Sequence, residues 1–126
     1  ADRLVSMYQA ADIYAFPSLL ENFAMVIPEA MASQSAVVST DAPGCRELTI
    51  HGETGLQARA GDPEDFAIQL SRVLSDERLR AGLSRKAHRA VEAWSWPNVA
   101  REYEMLFESV IEARAHNSPQ HPHHDA

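Results

Sequence analysis

Pro28 constrains the fold of this chain more than any other single residue. Proline within an α-helix is tolerated only in the first turn, where its missing N–H group costs little. The Ala-rich run around Pro28 predicts a helix over residues 25–32, so this helix must begin near Ala24 to Ile27. Short apolar runs at residues 13–16 and 36–40 predict strands on either side, and the first of them is expected to be a buried strand. A strand, a helix and a strand at this spacing indicate a parallel βαβ unit.

Further elements surround this unit. Aspartates that are typical N-caps, followed by proline or acidic residues, predict the later helix starts. Their apolar residues recur at helical spacing, as in the stripe of Phe66, Leu70, Val73 and Leu74. The elements predicted outside the βαβ unit are a helix at 2–11, loops at 18–24 and 41–55, an edge strand at 55–58, and helices from Asp62, Asp76 and Ser95.

Composition excludes several classes of protein. The net charge of -7 repels a nucleic-acid backbone, so no nucleic-acid partner is expected. No apolar run approaches the roughly 20 residues of a membrane-spanning helix. The sequence lacks a basic segment followed by an apolar one, so no signal peptide is predicted. Cys45 is the only cysteine, so an intrachain disulfide is impossible, which fits a cytoplasmic location. Cys45 is expected to be a small buried residue or a turn residue and not a nucleophile.

Glu21 and Glu29 flank the predicted helix start. Carboxylates accept hydrogen bonds from sugar hydroxyls, and the free N–H groups of a helix start bind phosphate. A nucleotide-sugar carries both kinds of group, so we expect the two acids and the helix start to face one pocket. Two isolated glutamates at this spacing are also compatible with ordinary surface acids. Nearby, Ser18 is predicted to begin a turn, and Arg46 and Glu47 either pair with each other or contribute to the site.

A series of motifs, in order and at characteristic spacing, carries a resemblance to a known family. The motifs are ADIYAFPS at 11–18, E-x7-E at Glu21 and Glu29 followed by AMA at 30–32, VVSTD at 37–41, Gly-x-x-Glu at 44–47, HGETG at 51–55 and SW at 95–96. From about Leu4 to Ile111 the chain resembles the C-terminal half of GT-B retaining glycosyltransferases of the family-four type (glycosyl transferases group 1).

The resemblance implies a hexosyltransferase that takes a nucleotide-sugar donor, retains the configuration of the transferred sugar, and needs no metal or other cofactor. It implies that Glu21 is catalytic and contacts hydroxyls of the transferred sugar, and that Glu29 accepts hydrogen bonds from the ribose. Backbone N–H groups between them would cradle the diphosphate. The donor-binding residues implied are Glu21, Asn22, Phe23, Ala24, Met25, Val26 and Glu29. The resemblance implies no metal-binding residues.

The same resemblance implies a domain organisation and partners. Residues 1–112 would form a partial Rossmann-like α/β lobe of a GT-B fold, with parallel strands, flanking helices and a helical C-terminal region. Residues 113–126, rich in His and Pro, would be a disordered tail. The family's acceptor lobe and the Arg and Lys that hold the diphosphate have no counterpart here, so these 126 residues are expected to be inactive alone. A peripheral membrane association through that acceptor lobe stays open.

Four positions depart from the family pattern, and two alternative functions stay open. The family usually has Gly where Asn22, Ala24 and Gln34 stand and Pro where Ala36 stands. Ala24 is harmless only if its φ is negative, and Gln34 is strained if its turn demands a positive φ. One alternative is a non-catalytic remnant or protein-interaction module derived from this lobe. The other is a helical interaction domain built from residues 63–111.

Overall fold

A computed structural model describes residues 2–116, and side chains within residues 3–114. Helices and strands alternate at first and give way to three consecutive helices. The elements are α1 (Asp2–Ala10), β1 (Ile13–Phe16), α2 (Val26–Ala32), β2 (Ala36–Thr40), β3 (Leu56–Ala58), α3 (Pro63–Ser75), α4 (Glu77–Glu92) and α5 (Trp96–His116). The α/β class is thereby confirmed.

The three strands form one parallel sheet in the order β1-β2-β3. Ile13 of β1 pairs with Ala36 of β2, so these two strands begin at the same level, and Leu56 at the start of β3 pairs with Val38 in the middle of β2. All five residues of the central strand β2 are buried. Because the strands are parallel, the loops that follow β1 and β2 emerge at the same edge of the sheet. In open α/β sheets this carboxyl edge is where ligands bind.

Helix α2 begins at Val26, inside the predicted window, and Pro28 lies in its first turn. The missing N–H of Pro28 therefore removes no hydrogen bond from the helix interior. The predicted N-caps of the later helices are also confirmed. Asp62 accepts a hydrogen bond from the Asp65 amide, and Asp76 accepts one from the Leu79 amide.

The two faces of the sheet bury two apolar clusters, because successive side chains of β2 point to opposite faces. Val37 packs with Ile27 and Met31 of α2 in the first cluster. Val38 packs with residues of α3 and α4, such as Val73 and Leu83, in the second. Helices α3 and α4 are therefore integral to the α/β unit, and a separate helical domain over residues 63–111 does not describe the fold.

The chain divides into two compact units, one ending at Ala93 and one beginning at Trp94. Within the second unit, α5 continues through His116, so the disordered tail predicted from residue 113 is wrong over residues 113–116. The remainder of that predicted tail, 117–126, lies outside the described residues. No helix within residues 2–116 combines the length and apolarity that a membrane crossing requires.

Two predictions of burial are wrong. The run that forms β1 was expected to be a buried strand, but it is only half-buried and Ala15 is exposed. The reason is its position at one end of the strand order of the described sheet. Leu74, expected on the buried stripe of α3, is 61% exposed, because Val73 takes the inward position at this turn of the helix.

Candidate functional site

Glu21 lies in the loop that follows β1, and its carboxylate is held by Ser18. The Ser18 hydroxyl donates a 2.8 Å hydrogen bond to Glu21 Oε1. The Ser18 carbonyl oxygen in turn accepts a hydrogen bond from the Thr40 hydroxyl at the end of β2. Glu21 is half-buried, so its carboxylate is oriented by the protein and still accessible to a ligand.

The loop after β2 fixes the backbone of this segment. The Glu21 amide donates to the Pro43 carbonyl at 3.0 Å, and the Ala24 amide donates to the Gly44 carbonyl at 3.2 Å. Gly44 has φ +80°, and a Cβ placed on it would lie 2.3 Å from the Glu21 carbonyl oxygen. Only glycine fits there, for both conformational and steric reasons.

The four backbone amides predicted to cradle a diphosphate are not equally available. The Ala24 amide is bound to Gly44, and the Met25 amide donates to the Phe23 carbonyl at 2.9 Å. The amides of Phe23 and Val26 have no acceptor among the residues that the structure describes. Two of the four candidate donors are therefore free to meet a ligand, and the assignment of the cradle stays a prediction.

The side chains of the same segment separate into a buried and an exposed set. Ala24 is 3% exposed, is not among the residues with positive φ, and packs in the first apolar cluster. The Ala24 methyl group therefore points into the core and does not obstruct a ligand. Asn22, Phe23 and Met25 are exposed. Gln34 has φ +65°, so the condition under which strain was expected at this position is met.

Glu29 lies in the first turn of α2 and is exposed, and its partner is a residue of α1. The Tyr8 hydroxyl donates a 3.2 Å hydrogen bond to Glu29 Oε2. Burial, then the neighbouring Tyr14 and Glu29, raises the pKa of Tyr8 to about 12. Tyr8 therefore stays protonated and acts as a donor to Glu29 throughout the neutral range.

The turn at Gly44 is closed by an acidic residue. Glu47 accepts a 2.8 Å hydrogen bond from the Gly44 amide and pairs with Arg46 at 3.0 Å. The hydrogen bond from Arg46, followed by backbone hydrogen bonds, lowers the pKa of Glu47. Cys45 is fully buried, one of the two roles expected for it, and burial raises the pKa of its thiol, which disfavours the nucleophilic thiolate.

Two cavities lie near the sheet, and neither Glu21 nor Glu29 lines either of them. One, of about 580 Å³, lies beside Asp12 and Gln34, which precede β1 and β2, and is therefore at the amino edge of the sheet. The other, of about 430 Å³, lies at the carboxyl edge beside Pro17 and Thr40. The single pocket expected to hold both glutamates is thus not one of these cavities, and each carboxylate has its own partner.

Sequence reasoning missed the residues that position the two glutamates. Ser18 was assigned to a turn alone, although its hydroxyl holds the Glu21 carboxylate three residues later. Tyr8 carries no local signal, because 21 residues separate it from Glu29 in the chain. Gly44 was part of a recognised motif, but its close approach to Glu21 depends on how two loops meet.

The fold is that of an α/β lobe with two partnered carboxylates near the carboxyl edge of a parallel sheet, and comparison with known proteins assigns the chain to a family. Residues 1–90 match the model of the family "Glycosyl transferases group 1". The chain belongs to this family.

Two curated relatives illustrate the range of the family. A D-inositol 3-phosphate glycosyltransferase from Corynebacterium urealyticum is 36% identical over 109 residues, which are 86% of this chain and 26% of the relative. An N,N'-diacetylbacillosaminyl-diphospho-undecaprenol alpha-1,3-N-acetylgalactosaminyltransferase from Campylobacter jejuni is 32% identical over 86% of this chain and 29% of the relative. The chain therefore spans little more than a quarter of the length of these relatives.

Two solved structures share the fold. The sucrose-phosphate synthase of Thermosynechococcus elongatus superposes with a TM-score of 0.79 at 28% identity, over 89% of this chain and 28% of that one. The Anabaena protein HepE, solved in complex with UDP-glucose, superposes with a TM-score of 0.69 at 26% identity, over 84% of this chain and 29% of that one.

Proposed function

We propose that this chain is the donor-binding part of a retaining hexosyltransferase that takes a nucleotide-sugar. The observation that carries the proposal is the fixed carboxylate of Glu21, held by Ser18 at the carboxyl edge of a parallel sheet. Family membership and the UDP-glucose held by a neighbour of the same fold support it. Because Ala24 turns its methyl group into the core, one motive for regarding the chain as a non-catalytic remnant is removed.

Each residue has a distinct role in this proposal. Glu21 accepts hydrogen bonds from hydroxyls of the transferred sugar, and Ser18 keeps the receiving oxygens in place. Glu29, oriented by Tyr8, accepts from the ribose hydroxyls. The amides of Phe23 and Val26 donate to the diphosphate. Donors fixed in advance stabilise the negative charge that develops on the leaving diphosphate, because they need no reorganisation during the reaction.

We further propose that donor binding is independent of metal. The sequence contains no Asp-x-Asp pair of the kind that would bring a cation to the diphosphate. Amide donors would supply the neutralisation of charge that a cation supplies elsewhere. Addition of a chelator such as EDTA should then leave the affinity for UDP-glucose unchanged, and a marked loss of affinity would contradict metal independence.

The proposal is tested by NMR titration of the 126-residue chain with UDP-glucose. Parallel titrations with GDP-glucose and ADP-glucose identify the preferred base. The amides of Phe23 and Val26 should shift, and the affinity should fall about tenfold in Glu29→Gln, the order of magnitude for loss of a hydrogen bond to a charged group. Glu53→Gln, which changes an exposed acid in another loop, is the matched control. Binding of a nucleotide-sugar with the same affinity in Glu29→Gln as in the unchanged chain would contradict the proposal.

A further inference from the structure

The cavity of about 430 Å³ at the carboxyl edge has walls of an apolar kind. Its volume lies within the range of small-molecule sites, roughly 300–1,000 Å³. Pro17 and Leu19 form one side, from the loop after β1. Pro63 and Phe66 form the other, from the first turn of α3.

The charged side chains that line this cavity neutralise each other. Arg59 and Asp62 are the charged lining residues, and they form an ion pair at 2.8 Å. Arg59 also lies 3.7 Å from Asp65. A phosphate or a sugar hydroxyl would have to compete with these existing pairs, whereas an aliphatic group would lose little by entering. The walls therefore favour an uncharged apolar ligand.

The cavity is linked through Ser18 to the carboxylate assigned to the transferred sugar. Thr40 lines the cavity, and its hydroxyl donates to the Ser18 carbonyl oxygen. Ser18 in turn donates to Glu21 Oε1 at 2.8 Å. Leu19, on the cavity wall, lies two residues before Glu21 in the same loop. A group bound in the cavity would thus lie beside the reacting end of the donor.

We propose that this cavity binds an aliphatic part of the acceptor, so that the acceptor carries an alkyl or isoprenoid chain next to the group that is glycosylated. The assignment of the bound group to an acceptor rests on the proposed function. The binding of an aliphatic group to the cavity does not depend on that function. Leu19 is 67% exposed at the cavity wall. An aliphatic chain would cover it, and the removal of this apolar surface from water would drive binding.

The test is a titration of the 126-residue chain, without nucleotide, by methyl, butyl and octyl β-glucoside below their micelle concentrations. Binding should tighten about twofold to fourfold for each added methylene, given roughly 0.8 kcal/mol for each one fully buried. The NMR signals of the Leu19 methyl groups and the Phe66 ring should shift. Leu19→Asn should weaken octyl glucoside binding about tenfold, and because Leu19 is exposed in a loop, the core is left intact.

Ile68→Asn is the matched control, because Ile68 is 58% exposed on α3 and does not line the cavity. It should bind octyl glucoside as the unchanged protein does. An affinity independent of chain length, or equal affinities of Leu19→Asn and Ile68→Asn, would overturn the inference. If octyl glucoside does not bind as expected but UDP-glucose binds in a Glu29-dependent way, the donor proposal stands and only the inference about the cavity fails. If octyl glucoside binds as expected but the binding of UDP-glucose does not depend on Glu29, only the donor proposal is contradicted.

Discussion

The hydroxyl of Tyr8 donates a 3.2 Å hydrogen bond to the carboxylate of Glu29 and so joins α1 to the first turn of α2. Tyr8 is 9% exposed and Glu29 is exposed, so a buried donor orients an acceptor that faces solvent. One Glu29 oxygen is occupied by the protein, and the other stays available to a ligand. This relationship gives α1 a part in the site that its position in the sequence does not suggest.

Tyr8→Phe should weaken UDP binding about fivefold, because Glu29 loses the donor that orients it and one such hydrogen bond contributes about 1 kcal/mol. Titration calorimetry or NMR on the 126-residue chain measures the change. Tyr103→Phe, on the exposed surface of α5, is the matched control. A uridine diphosphate that lacks both ribose hydroxyls should bind the two variants equally. A Tyr8→Phe variant that binds UDP with unchanged affinity would contradict the role given to Tyr8.

Stability should fall in alkaline solution because of Tyr8. Its pKa is raised from 10.0 to about 12 in the folded protein, so its contribution is complete below pH 10 and is lost as the pH rises towards 12. One such group changes the free energy of unfolding by at most about 1.4 kcal/mol per pH unit across that window. Urea unfolding at a series of pH values measures the slope.

In Tyr8→Phe the alkaline slope should be reduced but not abolished. Burial also raises the pKa of Tyr14 and of Cys45, so both groups lose stabilisation as the pH rises. If the free energy of unfolding of Tyr8→Phe fell with pH as steeply as that of the unchanged protein, the raised pKa assigned to Tyr8 would be contradicted.

Gly44→Ala should destabilise the protein by about 3 kcal/mol, because strain at positive φ is combined with a steric clash against the backbone of Glu21. Gly52→Ala is a control with the same strain and no clash, since Gly52 has φ +78° and no atom within 4 Å of the added Cβ. It should cost about 1 kcal/mol. Chemical unfolding measures both values. Equal losses would mean that the contact of Gly44 with Glu21 has no energetic weight.

Gln34→Gly should stabilise the protein by about 0.5–1 kcal/mol, because φ +65° strains a residue with a side chain. The hydrogen bond that the Gln34 carbonyl accepts from Ser84 at 2.7 Å uses backbone atoms and is retained. The neighbouring Ser33 has φ -85°, so Ser33→Gly should instead destabilise. A rise in melting temperature for the first and a fall for the second are expected. A lower melting temperature for Gln34→Gly would contradict the strain.

Local signals were sufficient for the order of elements and for the start of α2. Pro28, the aspartate caps and the short apolar runs each act over a few residues, so the sequence alone reveals them. Burial was harder to predict. Ala15 and Leu74 are exposed because burial depends on which strand lies at the end of the sheet and on which face a helix presents.

The candidate site shows the same division. Glu21 and Glu29 could be singled out because their motif is local, and their roles stay a prediction. Ser18, Gly44 and Tyr8 could not be given their positions, because those depend on contacts between segments far apart in the chain. Which of the four amides between the glutamates are free was equally inaccessible, since the Gly44 carbonyl that occupies the Ala24 amide comes from another loop.

The two main-chain hydrogen bonds from Glu21 to Pro43 and from Ala24 to Gly44 have an evolutionary consequence. Because these two bonds use only peptide groups, an exposed side chain of the loop after β2, such as that of Pro43, can be exchanged without removing them. Ala42 and Cys45 are buried in the first apolar cluster and lack this freedom, and so does the number of residues between Thr40 and Gly44. Descendants of this chain can therefore vary the exposed positions of that loop, while its length and its buried positions are inherited unchanged.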